Sequence, residues 1–283
     1  MAEKPKILKI KVKKVYKSNK LNKAWFSNFN LNDYRVYLNA IALVGGVDAK
    51  GKYLQPDELK REHTLSAIDF AKQFNIPQNH AYEILKKAVD KLIKTDIKVE
   101  KPDLFTTTRI NVCELAEYHH RDGSIRILFT GSILEHLKQQ IGKNSQFTLY
   151  NLNEIIGLSS LYAVRLYELI QQFKGGFIIY TIEQWREAFG ISIEQYKLYG
   201  HFKDKVLKQA LNEINNKTGY SVTMLEEKKG RKVARVRFDY NPVIIHNVVD
   251  PKTGEFRSKH IKPKKPKTQP KIDVGSGQLE LEI

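Results

Sequence analysis

The segment HTLSAIDFAKQFNIPQNHAYEILKKAVDKLIK (residues 63–94) predicts two short helices joined by a tight turn at NIPQ. The hydroxyl of Ser66 can cap the first helix. In the second helix, apolar residues recur at helical spacing, so that one face can be buried: Tyr82, Leu85, Ala88, Val89 and Leu92. This arrangement is the outline of a helix-turn-helix.

Segments typical of strands follow these two helices. TTTRINVCEL (residues 106–115) and AEYHH (residues 116–120) lead into the turn RDGS, and IRILFT comes after it. The pair Asp122-Gly123 is a strong hairpin signal. A helix-turn-helix followed by a β-hairpin is the order of elements in a winged helix. Upstream, LNDYRVYLNAIALV (residues 31–44) predicts a helix with one buried face, ended by Gly45-Gly46.

The same order of elements occurs a second time. SSLYAVRLYELIQQF (residues 159–173) predicts a helix capped by Ser159 or Ser160, residues 181–216 predict two more helices, and residues 220–240 predict a hairpin. DFAKQFNI aligns with QWREAFGI at an offset of 115 residues, and KAVDKLI aligns with QALNEIN at an offset of 122, so the second copy has a longer turn. The sequence therefore predicts an α+β chain of two tandem winged-helix domains.

The predicted domains are bounded by basic terminal segments. Residues 1–24 are Lys-rich and predict a loose arm that can include a strand; residues 25–145 and 146–242 form the two domains. Residues 243–283 lose periodicity and predict a disordered Lys/Pro-rich tail.

Composition restricts the class of partner. With 283 residues and 41% hydrophobic content, the chain can bury a core in each of two domains. Its one cysteine excludes an internal disulfide and metal sites built on several cysteines, and fits a reducing cytosol. The formal net charge of +17 favours polyanions. ILKIKVKKV alternates apolar residues with Lys, unlike a membrane-binding amphipathic helix, so nucleic acid is favoured over a membrane.

The predicted helix at residues 201–216 has a polar face suited to reading bases. At 100° per residue, its candidate base-reading residues lie opposite the apolar face: His201, Lys205, Lys208, Gln209 and Asn212. Lys pairs with guanine, and Gln and Asn pair with adenine in the major groove. The alternative is an ordinary solvated face.

The tip of the second hairpin carries four cations and no acid. With Arg235 on the following strand, the candidate phosphate-binding residues of this wing are Lys228, Lys229, Arg231, Lys232 and Arg235. The alternative is an exposed turn that aids solubility. In the first domain Lys86, Lys87 and Lys91 are weaker candidates, because Glu83 and Asp90 lie among them.

The sequence favours a non-enzymatic protein without metal or cofactor. YHHRD places His119 and His120 side by side, whereas a nicking site of the His-hydrophobic-His type needs both on one face of a strand. A metal site would need more ligands than these histidines and Asp122. Phosphate-binding loops, nucleophile elbows and zinc-protease motifs are absent from the sequence.

SSLYAVRLYELIQQF, TIEQWREAFGI, YKLYGHFKDKVLKQALNEIN and KKGRKVARVRF together resemble the iteron-binding plasmid replication initiators of bacteria. The resemblance implies a first domain that dimerises and assists DNA binding, and a second domain that reads repeated origin sequences (iterons). It also implies that monomers open the origin, that dimers repress their own promoter, and that host replisome proteins, the helicase and chromosomal initiator among them, are partners in the bacterial cytoplasm. A transcriptional regulator with two winged helices and no replication role is the alternative.

Two further points depend on this resemblance. The motif residues Tyr162, Arg165, Leu166 and Tyr167 carry over directly, and Arg165 is expected to contact phosphate or to form a salt bridge within its domain. The last residues, QLELEI, resemble short peptides that bind the bacterial sliding clamp: Gln278 is the polar anchor, and the groove is filled by Leu279, Leu281 and Ile283. An inert tail or an added edge strand are the alternatives.

Overall fold

Two copies of a helix-turn-helix followed by a β-hairpin occur along the chain, as the sequence predicts. The computed structural model describes residues 13–24, 29–45, 54, 56–101, 106–138, 147–173, 175–243, 245–249 and 256–260. It divides into two units, residues 1–242 and residues 243–283. The helices of the first unit are α1 (Asn19–Lys23), α2 (Leu31–Val44), α3 (Ala67–Phe74), α4 (Gln78–Leu92), α5 (Gly131–Leu137), α6 (Leu161–Gln172), α7 (Ile182–Ala188), α8 (Tyr199–Phe202) and α9 (Lys208–Lys217).

The strands form small antiparallel sheets. In the first unit they are β1 (Lys14–Ser18), β2 (Glu62–Ser66), β3 (Asp96–Lys101), β4 (Thr106–Asn111), β5 (Cys113–His119), β6 (Ser124–Phe129), β7 (Phe147–Asn151), β8 (Phe177–Thr181), β9 (Tyr220–Lys229) and β10 (Lys232–Pro242). Their orders in the sheets are β1-β7, β2-β6-β5, β3-β4 and β8-β10-β9. Short 3₁₀ helices occupy Pro56–Glu58 and Leu152–Ile155.

The first helix-turn-helix consists of α3 and α4, joined by a three-residue turn. Ser66 caps α3 by accepting a hydrogen bond from the backbone N–H of Asp69 at 3.2 Å. Asn75 ends α3 in the left-handed region, with φ of 51°, which a short polar side chain tolerates. A hairpin of β3 and β4 follows α4, and the hairpin β5–β6 comes after it. Gly123 supplies the positive φ of the β5–β6 turn. The two helices and the turn at Gly123 match the prediction, whereas the predicted strand segment 106–115 is divided between β4 and β5 and strand β3 was not predicted.

The second copy packs its helices on the three-stranded sheet β8-β10-β9. Trp185 of α7 is fully buried, donates a hydrogen bond from Nε1 to the carbonyl oxygen of Val236 at 2.9 Å, and meets the ring of Phe238 edge-on. Strands β9 and β10 are longer than the sequence suggested, and only Gly230 and Arg231 form the turn between them. Gly230 has a φ of 62° there.

Residues 14–24 are integrated into the fold, in contrast to the loose arm expected from their Lys content. Strand β1 pairs antiparallel with β7, from Lys14 opposite Asn151 to Ser18 opposite Phe147. Val15 and Leu21 are fully buried, and so is Lys17. The strand that the prediction allowed is present, and a buried carboxylate on α6 compensates the charge of Lys17.

Helix α6 is buried on nearly all sides, because α1, β7, β8 and α9 pack around it and the last residue of α7 accepts a hydrogen bond from Arg165. Ser160 is its N-cap, which decides between the two predicted caps. Besides its apolar residues, α6 buries Arg165 and Glu168. The carboxylate of Glu168 compensates two buried cations at once, which makes α6 an electrostatic as well as an apolar centre of this unit.

The second unit contains an antiparallel hairpin of β11 (Ile245–Val249) and β12 (Phe256–His260). This differs from the aperiodic tail predicted from residue 243. The β-branched residues Ile245, Val248 and Val249 favour a strand, and the Lys-rich surroundings hid this signal. The last residues, including Gln278, Leu279, Leu281 and Ile283, lie outside the described residues.

Candidate nucleic-acid interface

The candidate base-reading residues all lie on one long helical segment, residues 199–217, made of α8, a π-helical stretch and α9. Its buried side holds Phe202, Val206, Leu207, Ala210 and Ile214. Every predicted base-reading residue is solvent-exposed: His201, Lys205, Lys208, Gln209 and Asn212. The segment therefore presents donors and acceptors to solvent from a well-packed apolar base.

The π-helical stretch Lys203–Leu207 lies between His201 and Lys208. A π-turn has one more residue than an α-turn, so it changes the angle between side chains on either side of it. The prediction assumed 100° per residue throughout and missed this irregularity. Single π-turns within α-helices are frequent at functional sites.

Asp204 adds an acid to the exposed side of the same helix. Its Oδ1 lies 2.7 Å from Nζ of Lys208. The hydrogen bond and charge of Lys208 lower the pKa of Asp204 below its usual value. The i, i+4 spacing in the sequence is the signal that identifies this pair. Lys208 must leave Asp204, or share its ammonium, to contact DNA.

Glu226 of strand β9 links the β9–β10 hairpin to the beginning of the 199–217 helix. Its Oε1 lies 2.7 Å from Nζ of Lys203 and accepts a hydrogen bond from Oη of Tyr199 at 2.6 Å. These two hydrogen bonds lower the pKa of Glu226, while burial and the bond to Glu226 raise that of Tyr199. Sequence reasoning missed this link, which fixes strand β9 relative to the helix.

The turn before the helix, residues 189–198, is organised by Arg186. Its guanidinium donates hydrogen bonds to the carbonyl oxygens of Ser192, Gln195 and Tyr196 at 3.3, 2.7 and 2.6 Å. The guanidinium carbon also lies 4.7 Å from the ring centroid of Phe202, a cation–π contact. The long predicted turn is therefore a defined structure that connects α7 to the helix.

The wing presents its cations to solvent. All four cations of the tip are exposed: Lys228, Lys229, Arg231 and Lys232. Arg235 is exposed as well and lies 3.9 Å from the carboxylate of Glu227, a distance at the limit of an ion pair. A β-bulge between Val233 and Arg235 turns this part of the strand.

Arg165 is buried, with 6% of its side chain exposed. Its guanidinium donates hydrogen bonds to Glu168 at 3.0 Å, to Oη of Tyr34 at 2.7 Å and to the carbonyl oxygen of Ala188 at 3.1 Å. Of the two predicted alternatives, the structure contains the salt bridge. The expectation that Arg165 contacts phosphate is corrected, because its donors are used inside the protein.

The weaker candidates of the first domain lie on α4. Lys87 is exposed and Lys86 is half-buried. Lys91 is bound to Asp33 of α2, with 2.5 Å between Nζ and Oδ2, so it holds two helices together rather than lying free for DNA. The expectation that Lys91 contacts DNA is therefore corrected, because its ammonium forms an ion pair with Asp33.

The histidines of YHHRD have structural contacts at the end of the first hairpin. Nδ1 of His120 lies 2.9 Å from Oη of Tyr82, and His119 is near Glu117. Within the described ranges, no group of three or more His, Cys, Asp or Glu side chains could hold a metal ion. Over the same ranges, no helix is both long and apolar enough for a membrane span.

Comparison with known proteins identifies this arrangement. A family model described as WH1 of the initiator replication protein matches residues 14–171, and one described as WH2 of the initiator Rep protein matches residues 181–240. The chain belongs to the replication-initiator family. The predicted resemblance and the prediction of two winged-helix domains are thereby confirmed. The first match ends at residue 171, within α6, and the second begins at residue 181.

Individual proteins are also similar to this chain. The initiator is 27% identical to the PI protein of Escherichia coli over 217 residues, 66% of this chain and 71% of that protein. It is 26% identical to an uncharacterized 27.6 kDa protein of Escherichia coli over 181 residues, 63% of this chain and 74% of the relative. Among solved structures, the Pi initiator protein in complex with iteron DNA aligns at 26% identity with a TM-score of 0.68, over 81% of this chain and 97% of the other.

Proposed function

We propose that this initiator binds the iterons of a plasmid origin sequence-specifically and thereby starts plasmid replication. The observation that carries the proposal is the exposed polar side of the 199–217 helix in a chain similar to Pi, which was solved in complex with iteron DNA. The residues that read bases in the major groove are His201, Lys205, Lys208, Gln209 and Asn212.

The wing of the second domain supplies sequence-independent affinity. Lys228, Lys229, Arg231, Lys232 and Arg235 lie against phosphates or in a minor groove. Because neutralised phosphates release counterions, affinity falls steeply as salt is added. Lys86 and Lys87 add weaker contacts from the first domain.

The two domains divide the work. Residues 25–145 dimerise the protein and assist DNA binding, and residues 146–242 read the iteron. Monomers bound to several iterons strain the origin and melt an adjacent A·T-rich segment, where the host helicase is loaded with help from the chromosomal initiator. Dimers repress the initiator's own promoter. The mechanism involves no covalent chemistry and takes place in the bacterial cytoplasm.

The C-terminal peptide gives the initiator a route to the replisome. Gln278 anchors it to the host sliding clamp, and Leu279, Leu281 and Ile283 fill the apolar groove, with the Lys/Pro-rich segment as a tether. Pull-down of the clamp by a 270–283 peptide tests this, with Gln278→Ala and Leu281→Ala as controls. Absence of capture, or capture that neither change affects, would end the idea.

Selection of DNA from a random pool by the full-length chain tests iteron binding. We expect one enriched motif that occurs repeatedly in the plasmid's own origin. Enrichment without a shared motif would contradict the proposal. Deletion of the gene separates replication from the alternative role as a transcriptional regulator: loss of plasmid maintenance supports the initiator, and normal maintenance supports the regulator.

A further inference from the structure

The turn that precedes the 199–217 helix exposes aliphatic side chains to an unusual degree. Among the large hydrophobic side chains of the described residues, the two most exposed are Ile193, at 76%, and Leu198, at 65%. They are five residues apart in the same turn. A single exposed aliphatic residue is ordinary, but two in one turn that leads into a candidate interface point to a binding surface.

This turn, residues 189–198, has a defined conformation that hydrogen bonds stabilise. The first helix-turn-helix joins α3 to α4 with three residues, whereas residues 189–198 make ten. Three carbonyl oxygens of this turn converge on the guanidinium of Arg186, and Tyr196 adopts a φ of 50°, a conformation unfavourable for an aromatic residue. The chain therefore stabilises a conformation that holds Leu198 in solvent.

Leu is also an unfavourable residue type at the N-cap position that Leu198 occupies. It is the N-cap of α8, and its side chain makes no capping hydrogen bond. Ser, Thr, Asn and Asp are strongly preferred at this position over Leu, because their oxygen accepts a hydrogen bond from a free N–H of the first turn. Leu198 thus lacks both burial and a cap, and residues that break local rules in this way are expected where function requires them.

Position relative to the helix indicates what Leu198 contacts. It precedes His201 by three residues, with no π-helical residue between them, so in helical geometry it lies on the same side as His201. The N-terminal residues of the second helix of a helix-turn-helix contact base edges. The only apolar group on a base edge in the major groove is the C5-methyl of thymine.

We propose that Leu198 binds the C5-methyl group of a thymine in the recognised DNA sequence and so determines specificity at that base pair. The inference rests on the proposed function, since it assumes that the 199–217 helix enters the major groove. It adds an apolar contact to a recognition surface whose other members are polar. The turn held by Arg186 sets the position of the side chain.

Replacing thymine by deoxyuridine removes this methyl group and leaves the base pairing intact. In the duplex selected from a random pool by the full-length chain, each thymine is changed in turn to deoxyuridine, and affinities are measured by titration. We expect a loss of about fourfold at one position for the unaltered protein, the amount for one buried methyl group. For that position, the Leu198→Ala variant is expected to bind the thymine duplex and the deoxyuridine duplex with equal affinity.

Leu225→Ala is the matched control, because Leu225 is 53% exposed on strand β9 and lies away from this turn in sequence. It should retain the full sensitivity to deoxyuridine. The proposal is overturned if deoxyuridine changes the affinity of the unaltered protein at none of the thymine positions. It is also overturned if deoxyuridine weakens binding of Leu198→Ala as much as binding of the unaltered protein. Loss of sensitivity in Ile193→Ala but not in Leu198→Ala contradicts the assignment to Leu198. Failure of the full-length chain to enrich any shared motif from the random pool would instead refute the proposed function.

Stability gives an independent readout. Leu198→Ser supplies a capping hydroxyl, so its melting temperature is expected to equal or exceed that of the unaltered protein while sensitivity to deoxyuridine is lost. If Leu198 instead stabilised the fold by packing, its replacement by Ser would lower the melting temperature. A clear fall in melting temperature would therefore overturn the proposal.

Discussion

Nζ of Lys17 lies 2.5 Å from Oε1 of Glu168, and both side chains are fully buried. The two residues are 151 positions apart in the chain. Glu168 also accepts hydrogen bonds from Tyr34, Tyr150 and Arg165, at 2.6, 2.8 and 3.0 Å. One carboxylate thus joins β1, α2, β7 and α6. Burial raises its pKa, but the charges of Lys17 and Arg165 outweigh burial and hold the pKa below the usual value.

Replacing Glu168 by Gln should destabilise the protein strongly. The variant keeps the shape of the side chain but leaves Lys17 and Arg165 as buried cations without a compensating charge. We expect the free energy of unfolding to fall by about 3–5 kcal/mol, measured by urea denaturation.

Glu194→Gln is the control for this experiment. Glu194 pairs with Lys197 at 2.7 Å, but both side chains are exposed. The change should therefore alter the free energy of unfolding by less than about 0.5 kcal/mol. Similar effects of the two substitutions would show that burial does not increase the contribution of the Lys17–Glu168 pair to the free energy of unfolding.

Cys113, the one cysteine of the chain, should be nearly inert while the protein is folded. Burial raises the pKa of its thiol from 9.0 to about 12. At pH 8 the folded chain therefore contains roughly a thousandfold less thiolate than the unfolded chain, and thiolate is the reactive species. Alkylation by iodoacetamide at pH 8 should be slow without urea and fast in urea; rapid labelling of the folded protein would contradict the buried position.

The same thiol gives stability a dependence on pH. Because the pKa is raised on folding, the folded state keeps a proton that the unfolded state has lost between pH 9 and 12. The contribution of Cys113 is therefore complete below pH 9 and declines as pH rises through this range. The difference in unfolding free energy between the unaltered protein and Cys113→Ala should shrink accordingly at alkaline pH.

Replacing Arg186 by Lys should loosen the turn before the 199–217 helix. A Lys ammonium lacks the planar set of donors with which Arg186 reaches three carbonyl oxygens. Chymotrypsin should cleave faster after Tyr196 or Leu198, and binding to the selected duplex should weaken because the helix is held less firmly. Arg231→Lys, on the exposed wing, should leave the cleavage rate unchanged. Equal cleavage of Arg186→Lys and the unaltered protein would exclude this role.

Local patterns predicted most of the fold, and long-range contacts account for what was missed. The helices α3 and α4 and the turn at Gly123 follow from spacing, capping and turn chemistry within a few residues. The burial of Lys17 depends on Glu168, which no local pattern reveals. The sequence also left two roles open for Arg165. Its salt-bridge partner Glu168 lies three residues along the same helix, but its burial against Tyr34 and Ala188 joins segments that are distant in sequence.

The candidate interface shows a similar division. Its exposed polar residues were evident from periodicity, because a buried apolar face fixes where the other face lies. The π-helical stretch Lys203–Leu207 leaves no signature in that periodicity, and the link from Glu226 to Tyr199 connects two separate elements. Lys91 looked available for DNA because its partner Asp33 lies on another helix.

Base reading and phosphate binding should separate under mutation. Asn212→Ala or Lys208→Ala should cost about 1–3 kcal/mol on the selected duplex and relax preference at one base pair, because the proposed function places each side chain against a base edge. The loss on a scrambled duplex should be much smaller.

Lys229→Ala should weaken binding to all DNA alike. Because the proposed function places its cation against phosphate, the slope of log affinity against log salt should fall by about 1. An unchanged slope would show that Lys229 is not at the interface.

We propose that the 199–217 helix reads the DNA sequence while the wing binds the phosphate backbone of the DNA. Gel-shift competition between selected and scrambled duplexes, with the full-length chain and the variants Lys208→Ala, Asn212→Ala and Lys229→Ala, tests it most directly. We predict that the two helix variants lose affinity for the selected duplex and that the wing variant loses it equally for both. Equal losses on the two duplexes for all three variants would contradict the account.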